Sequence, residues 1–326
     1  MGETRVLSIP GGGGQYILAL TSLHAFVGEG VDVAIVETHH GGEFDATNVI
    51  PTPVITVITP IGIDHVAQLG PTVENIAWHK AGIFKPGSSA YSSPQTPEVA
   101  SVLADRAKEK KINPPKFVEI DNKLHRSISL PDVQWRNCSL AREVCDAFLK
   151  VKEPGSHVLH ADDILCGLHQ FRWPGRFEVV RHGENIWFLD GAHNELSVGE
   201  AAKWFSSSSI SESDIPVTRV LVFSQISTQR DGFGVLQALA RSITVPLDTV
   251  IITSYETARN TQDAFYEDKM KQYAQDWKCV RSNDKVELRR TVDEAVDLAK
   301  TVGQPGRHIL VTGSLYLVSE AIRTLQ

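Results

Sequence analysis

Val54-Ile55-Thr56-Val57-Ile58-Thr59-Pro60-Ile61-Gly62-Ile63-Asp64-His65 opens on an unbroken apolar, largely β-branched run and closes on two polar side chains. A run with no polar face belongs to a strand of a parallel sheet covered on both sides, whereas a half-exposed hairpin strand would alternate. Asp64 and His65 then stand just beyond the carboxyl end of that strand, where open parallel sheets bind their ligands. The same arrangement occurs upstream. Val31-Asp32-Val33-Ala34-Ile35-Val36 reads as a second buried strand, followed by Glu37-Thr38-His39-His40-Gly41-Gly42-Glu43-Phe44-Asp45-Ala46-Thr47-Asn48. Before it, Ile17, Leu20, Leu23 and Phe26 recur at helical spacing and predict an amphipathic helix over residues 16–27, stopped by Gly28-Glu29-Gly30. Gly11-Gly12-Gly13-Gly14 reads as a flexible lead-in to it. Downstream, helices are predicted at 72–81, with Thr72 as N-cap, and at 96–110, separated by a short strand at 89–92.

A second organisation begins after Phe171-Arg172-Trp173-Pro174-Gly175-Arg176. Strands predicted at 186–189, 219–223, 249–253 and 308–311 alternate with helices at 196–205, 233–240 and 291–302. That alternation is the pattern of a doubly wound α/β sheet. The expected fold is therefore α/β in two domains, 1–174 and 175–326. In the second, Leu189-Asp190-Gly191-Ala192-His193-Asn194 loads the end of its first strand with polar groups.

Composition limits the function. The 326 residues are 42% hydrophobic and 22% charged with a formal net charge of -7, which gives no general attraction for nucleic acid or anionic membrane. The basic run at 108–111 reads as a solvated helix end. No apolar run approaches the ~18 residues of a membrane span, and the first residues lack a signal-peptide pattern, so the expected location is the cytoplasm. Cys138, Cys145, Cys166 and Cys279 lack metal-type spacing and are expected to be free thiols.

Several of these stretches resemble the signatures of the folylpolyglutamate synthases, members of the Mur ligase group. Residues 37–48 are similar to E-x-G-x-G-G-R-x-D-A-T-N, residues 59–65 to T-S-L-G-I-D-H, and residues 190–193 match D-G-A-H. Ile76-Ala77-Trp78-His79-Lys80-Ala81-Gly82, Arg172-Trp173-Pro174-Gly175-Arg176 and Val311-Thr312-Gly313-Ser314-Leu315 follow in the family's order. The resemblance implies a Mur-ligase central domain followed by a Rossmann-like C-terminal domain, and ligation of glutamate to a folate through an acyl phosphate made from ATP. It places Glu37, His65 and Lys80 at a magnesium ion, with Lys80 carbamylated. Gln134, Asn137 and Arg176 fall at the nucleotide, and Asp190 and His193 near the ribose and the incoming amino acid.

The departures set the remaining expectations. The family's G-x-x-x-x-G-K-[ST] loop, which precedes the helix at 16–27, has no counterpart, since neither Lys nor Ser/Thr follows Gly11–Gly14. Glu43 stands where the family has an arginine, reversing attraction for phosphate, and His39 and His40 replace a glycine and an aliphatic residue. These changes point to an enzyme that has left ATP chemistry. In that reading Glu37, His39, His40, His65 and Lys80 face Asp190 and His193 in an interdomain cleft and serve as acids and bases on a small molecule. No cofactor is required, though a divalent metal could persist at the ancestral positions. Inert remnants of the old site are the alternative for the histidines, and a structural turn is the alternative for residues 190–193. Two further readings stay open: an ATP-dependent glutamate ligase whose nucleotide loop is absent from this chain, and a non-catalytic binding protein. A homodimer is expected to cover sheet edge left bare by the missing strand.

Overall fold

The computed structural model describes residues 15–122, 124, 130–155, 159–210, 217–226, 232–255 and 263–325. The Gly11–Gly14 lead-in lies outside them. The chain forms two compact units, Met1–His169 and Gln170–Gln326. Among the described residues no helix is long and apolar enough to cross a membrane.

The first unit holds α1 (Gln15–Gly28), β1 (Ile55–Ile58), α2 (Val66–Leu69), α3 (Val73–Lys80), β2 (Ser89–Ser92), α4 (Pro97–Glu109), β3 (Lys116–Phe117) and α5 (Asp132–Lys152). The strands make a parallel sheet in the order β1-β2-β3. Thr72 caps α3 by accepting a hydrogen bond from the Asn75 amide, as its position before an apolar-periodic run predicts. Ile76 and Ala77 of α3 and Val99, Leu103 and Ala107 of α4 bury their apolar stripes with Ile58, Leu69 and Phe84 in one core.

Two expectations fail in this unit. Residues 31–36 form no strand, and their side chains are half-buried or exposed. Among the described residues they have no ladder partner, and an extended run without neighbours on either side has nothing to bury it. The helix at 15–28 forms, yet Ile17 and Leu20 of its predicted apolar face are 69% and 61% exposed, while Ala19 and Phe26 are buried. Helical spacing marks which residues share a face. It does not supply the element that the face packs on.

The second unit begins at the end of α6 (Ala161–Gln170). It continues through β4 (Glu178–His182), β5 (Asn185–Asp190), α7 (Glu195–Ser208), β6 (Arg219–Phe223), α8 (Gly232–Ser242), β7 (Thr249–Thr253), α9 (Asp263–Val280), β8 (Val286–Arg289), α10 (Val292–Thr301), β9 (His308–Thr312) and α11 (Leu315–Leu325). The sheet order is β4-β5-β9-β6-β7-β8, parallel except for the antiparallel pair β4–β5. Phe188, Leu221, Phe223, Val250 and Ile252 pack toward α7, α8 and α9, while Trp187, Leu189, Val222, Ile251 and Val311 pack toward α10 and α11. Burial on both faces is what their unbroken apolar runs predict. The last strand, β9, inserts between β5 and β6, so the chain changes direction across the sheet there. The carboxyl ends of β5, β9 and β6 thus flank the position where such folds place ligands.

Candidate functional site

In the first unit the site is built on the loop 37–48. Asp45 is buried, and its carboxylate accepts hydrogen bonds from the His39 amide at 3.0 Å, the His40 amide at 2.7 Å, the Thr47 amide at 2.9 Å and Thr47 Oγ1 at 2.6 Å. Burial alone would raise its pKa, but the bonds from Thr47, His40 and His39 outweigh burial and hold the carboxyl below its ordinary value. Gly41 takes a left-handed φ of 78°, and a Cβ on Gly42 would lie 2.6 Å from the carbonyl oxygens of both His79 and Lys80. Only glycine lets the loop approach α3 so closely, and the Glu43 amide then donates to the His79 carbonyl at 2.8 Å. Asp45 carries this arrangement, though its family match gave it no such role. An aspartate two residues before Thr47, bonding back to its amide, is the sequence signal that could have found it.

His40 and His65 come together, with ring centroids 4.4 Å apart. His65 sits in a left-handed turn (φ 54°) before α2, and the Asp64 carboxylate accepts from its amide at 2.9 Å and lies 3.8 Å from its Nε2. His39 and His40 each have a buried Nε2 without a hydrogen-bond partner. The Lys80 ammonium is pushed below its ordinary pKa by burial, against the opposing pull of Asp64 and Asp45. Glu37 is exposed. Magnesium takes near-octahedral oxygen ligands. Among the described residues no three His, Cys, Asp or Glu side chains gather to hold a metal ion. As placed, Glu37, His65 and Lys80 do not make an oxygen-rich cage.

Glu43 does not stand as a bare charge. Its carboxylate pairs with Arg106 of α4, and at 2.8 Å with Lys110, the residue that caps the end of that helix. Arg106 also pairs with Glu109 and stacks over the Trp78 ring at 4.1 Å. The expected phosphate repulsion is corrected by this geometry, because two cations already neutralise the carboxylate. Gln134 is buried and Asn137 half-buried on α5.

In the second unit Asp190, Arg176 and His193 gather at the end of β5. Asp190 is 3% exposed and accepts from the Phe177 and Ala192 amides, each at 2.9 Å. Burial raises its pKa to about 6, opposed by the Phe177 bond, the Arg176 charge and the Ala192 bond. Phe177 adopts a left-handed φ of 47° to present its amide. His193 Nδ1–H donates to the Gly191 carbonyl at 2.9 Å, and Asn194 with Ser197 makes a reciprocal cap that starts α7. The Gly313 amide donates to the Ala192 carbonyl at 3.0 Å, tying the end of β9 to this turn. A side chain at Gly191 would run into Leu315 and stand 3.0 Å from the Arg176 guanidinium.

The chain as a whole is similar to known proteins. Residues 176–324 match the family model described as the C-terminal domain of dihydrofolate synthetase. The folylpolyglutamate synthase of Neurospora crassa is 34% identical over 339 aligned residues, covering 95% of this chain and 63% of that protein. The one from Saccharomyces cerevisiae strain FostersO is 32% identical over 95% of the chain and 61% of its own length. The chain thus spans a little under two thirds of the length of these relatives. Among solved structures, the Mycobacterium tuberculosis folylpolyglutamate synthase complexed with ADP and AMPPCP aligns with a TM-score of 0.73 and 26% identity, over 95% of this chain and 72% of that one.

The matches overturn the expectation of an ATP-independent acid–base enzyme working through His39, His40 and His65. Proteins alike over 95% of the chain are folylpolyglutamate synthases by name, and a solved one is complexed with ADP and AMPPCP. The changes that suggested otherwise have local causes: Glu43 is paired, and the backbone of His39 and His40 is fixed by Asp45. Motifs in one order, a shared two-domain α/β architecture and identity along nearly the whole chain agree, and the chain is a homologue of the folylpolyglutamate synthases over 95% of its length.

Proposed function

We propose that these residues form the larger part of an ATP-dependent ligase that joins glutamate to a folate carboxylate. The observation that carries this is the 34% identity to a folylpolyglutamate synthase across 95% of the chain. In the proposed reaction the folate carboxylate attacks the γ-phosphorus of ATP and ADP leaves. The amine of glutamate then displaces phosphate from the acyl phosphate, giving an amide. The family resemblance assigns nucleotide contacts to Gln134 and Asn137 in the first unit and to Arg176 in the second, and contacts with the ribose and the incoming amino acid to Asp190 and His193. A buried carboxylate fixed by two backbone amides suits a positioning role there, since its geometry is set before ligand arrives.

The 326 residues hold no G-x-x-x-x-G-K-[ST] sequence, and the proposal assigns the grip on the γ-phosphate to a loop of that kind supplied in addition to them. Joining to this chain the part of the Neurospora crassa relative that it does not match tests the proposal, with mass spectrometry following glutamate addition to a folate. The expected result is ATP-dependent addition by the joined protein and none by the 326 residues alone. A folded, nucleotide-binding fusion that adds no glutamate would refute it.

A further inference from the structure

Strands β1 and β2 run parallel with Ile58 beside Ser92, and the last backbone bond between them passes from the Ser93 amide to the Ile58 carbonyl at 2.9 Å. Continued past its end, the same register sets Pro60 beside Pro94. Proline has no amide hydrogen, so the ladder cannot go on there through backbone groups alone. The Gln95 side chain takes it over. Its Oε1 accepts from the Ile61 amide at 3.0 Å, and its Nε2 donates to the Thr59 carbonyl at 2.9 Å and to Ser92 Oγ at 3.1 Å. Ser92 Oγ in turn donates to the Ser93 carbonyl at 2.8 Å, which anchors the carboxamide on β2. With an amide on one side and a carbonyl on the other, only one orientation of the side-chain amide satisfies both.

These bonds reach the chain 34 and 36 residues upstream, whereas a helix-capping side chain would bond the first amides of α4, which begins at Pro97. What they fix is the start of the loop that leaves β1. Ile61 is buried behind them. The loop then presents Asp64, whose carboxylate accepts from the His65 amide, and His65, whose ring lies 4.4 Å from that of His40. We infer that Gln95 is a positioning residue: its carboxamide extends the β1–β2 ladder past the two prolines and so sets where Asp64 and His65 stand at the carboxyl end of the sheet. Its effect on turnover rests on the ligase reading, and its hold on the loop does not.

The 326-residue chain tests the hold on the loop. The Ile61 amide should be protected from hydrogen exchange in the unmodified protein, and Gln95→Ala should speed its exchange at least about tenfold while amides around buried Leu103 on α4 change by less than about twofold. Gln95→Glu separates the two bonds. Its carboxylate still accepts from Ile61 but cannot donate to the Thr59 carbonyl until it is protonated, so Ile61 protection should recover as pH falls from about 7 toward the ordinary glutamate pKa of about 4.3. In the protein joined to the Neurospora crassa part, Gln95→Ala should lower kcat at least about tenfold and leave KM for glutamate within about twofold, since the resemblance assigns the incoming amino acid to the second unit. An unprotected Ile61 amide in the unmodified chain overturns the inference, as does an active joined protein whose Gln95→Ala variant keeps the unmodified kcat. A folded, nucleotide-binding joined protein that adds no glutamate refutes the ligase reading alone, and Ile61 protection then decides the hold on the loop. Where Gln95→Ala does not fold, the recovery of Gln95→Glu at low pH decides, and its absence overturns the inference.

Discussion

Replacing Asp190 by asparagine should remove the pH dependence that this residue contributes to the second unit. In the folded chain its carboxyl is held at about 6 against an ordinary 3.8. Between those values the folded state keeps a proton that the unfolded chain has released. The stabilising contribution is therefore complete below pH 3.8, declines as pH rises through the window, and is gone above about 6. At ~1.36 kcal/mol per pH unit the loss amounts to about 3 kcal/mol at most. Asparagine does not titrate. Its Oδ1 can accept from one of the Phe177 and Ala192 amides, and its own NH2 then opposes the other, so a fixed penalty accompanies the change at every pH. The informative quantity is the difference between the two proteins as pH varies. Urea unfolding at pH 4.5 to 7.5, followed by fluorescence of Trp187, which is fully buried on β5 beside the site, reads it. The unmodified protein should lose about 2 kcal/mol relative to Asp190→Asn across that range. Parallel pH profiles would show that Asp190 is ionised like an exposed aspartate, and the burial argument would be wrong.

Two other changes follow from the same geometry. Asp45→Asn removes a buried charge that accepts from four donors, so the first unit should lose about 1.5–3 kcal/mol and the His39 and His40 amides should exchange hydrogen faster, which mass spectrometry of the 37–48 peptide measures. His308, at the start of β9, has its pKa lowered by burial and by Arg219 and Arg181, against a raising bond from Ser209, so the unfolded chain takes up the proton first as pH falls below 6.5. Stability should decline from pH 6.5 downward in the unmodified protein, and a melting-temperature series for His308→Gln should lack that component.

The second unit was legible because its signals are local and redundant. Strands such as Arg219–Phe223 and Thr249–Thr253 are apolar on both faces, each is followed by a helix, and the structure buries nearly every one of their residues. The β4–β5 pair went unread because strand β4 is largely exposed and polar, with nothing in Glu178–His182 to separate it from a loop. In the first unit the run 31–36 has the same composition as a true buried strand, yet it forms no ladder. Composition reports that a segment can be buried, and burial itself depends on partners far away in sequence or outside it. The close approach of His40 to His65 was legible only in part, since both were expected at one sheet edge while the hold of Asp45 on the loop had no distinctive pattern.

Glu43 shows why a changed motif residue is a poor witness to a lost activity. In the linear sequence it is an acidic side chain where the family has a basic one, and the inference from sign alone is repulsion of phosphate. In the fold the same carboxylate meets Arg106 and Lys110, separated from it by more than sixty residues, and Arg106 is itself packed on Trp78. A half-buried carboxylate with two cationic partners presents little net charge to a ligand, and removing it would leave Arg106 buried with a diminished set of partners. The substitution is thus compensated within the first unit and carries no information about whether ATP chemistry persists. The reversal at one position was visible in the sequence, but its cancellation required knowing that α4 runs alongside the loop. Likeness along the whole chain, which averages over such local exchanges, is the better guide to the reaction.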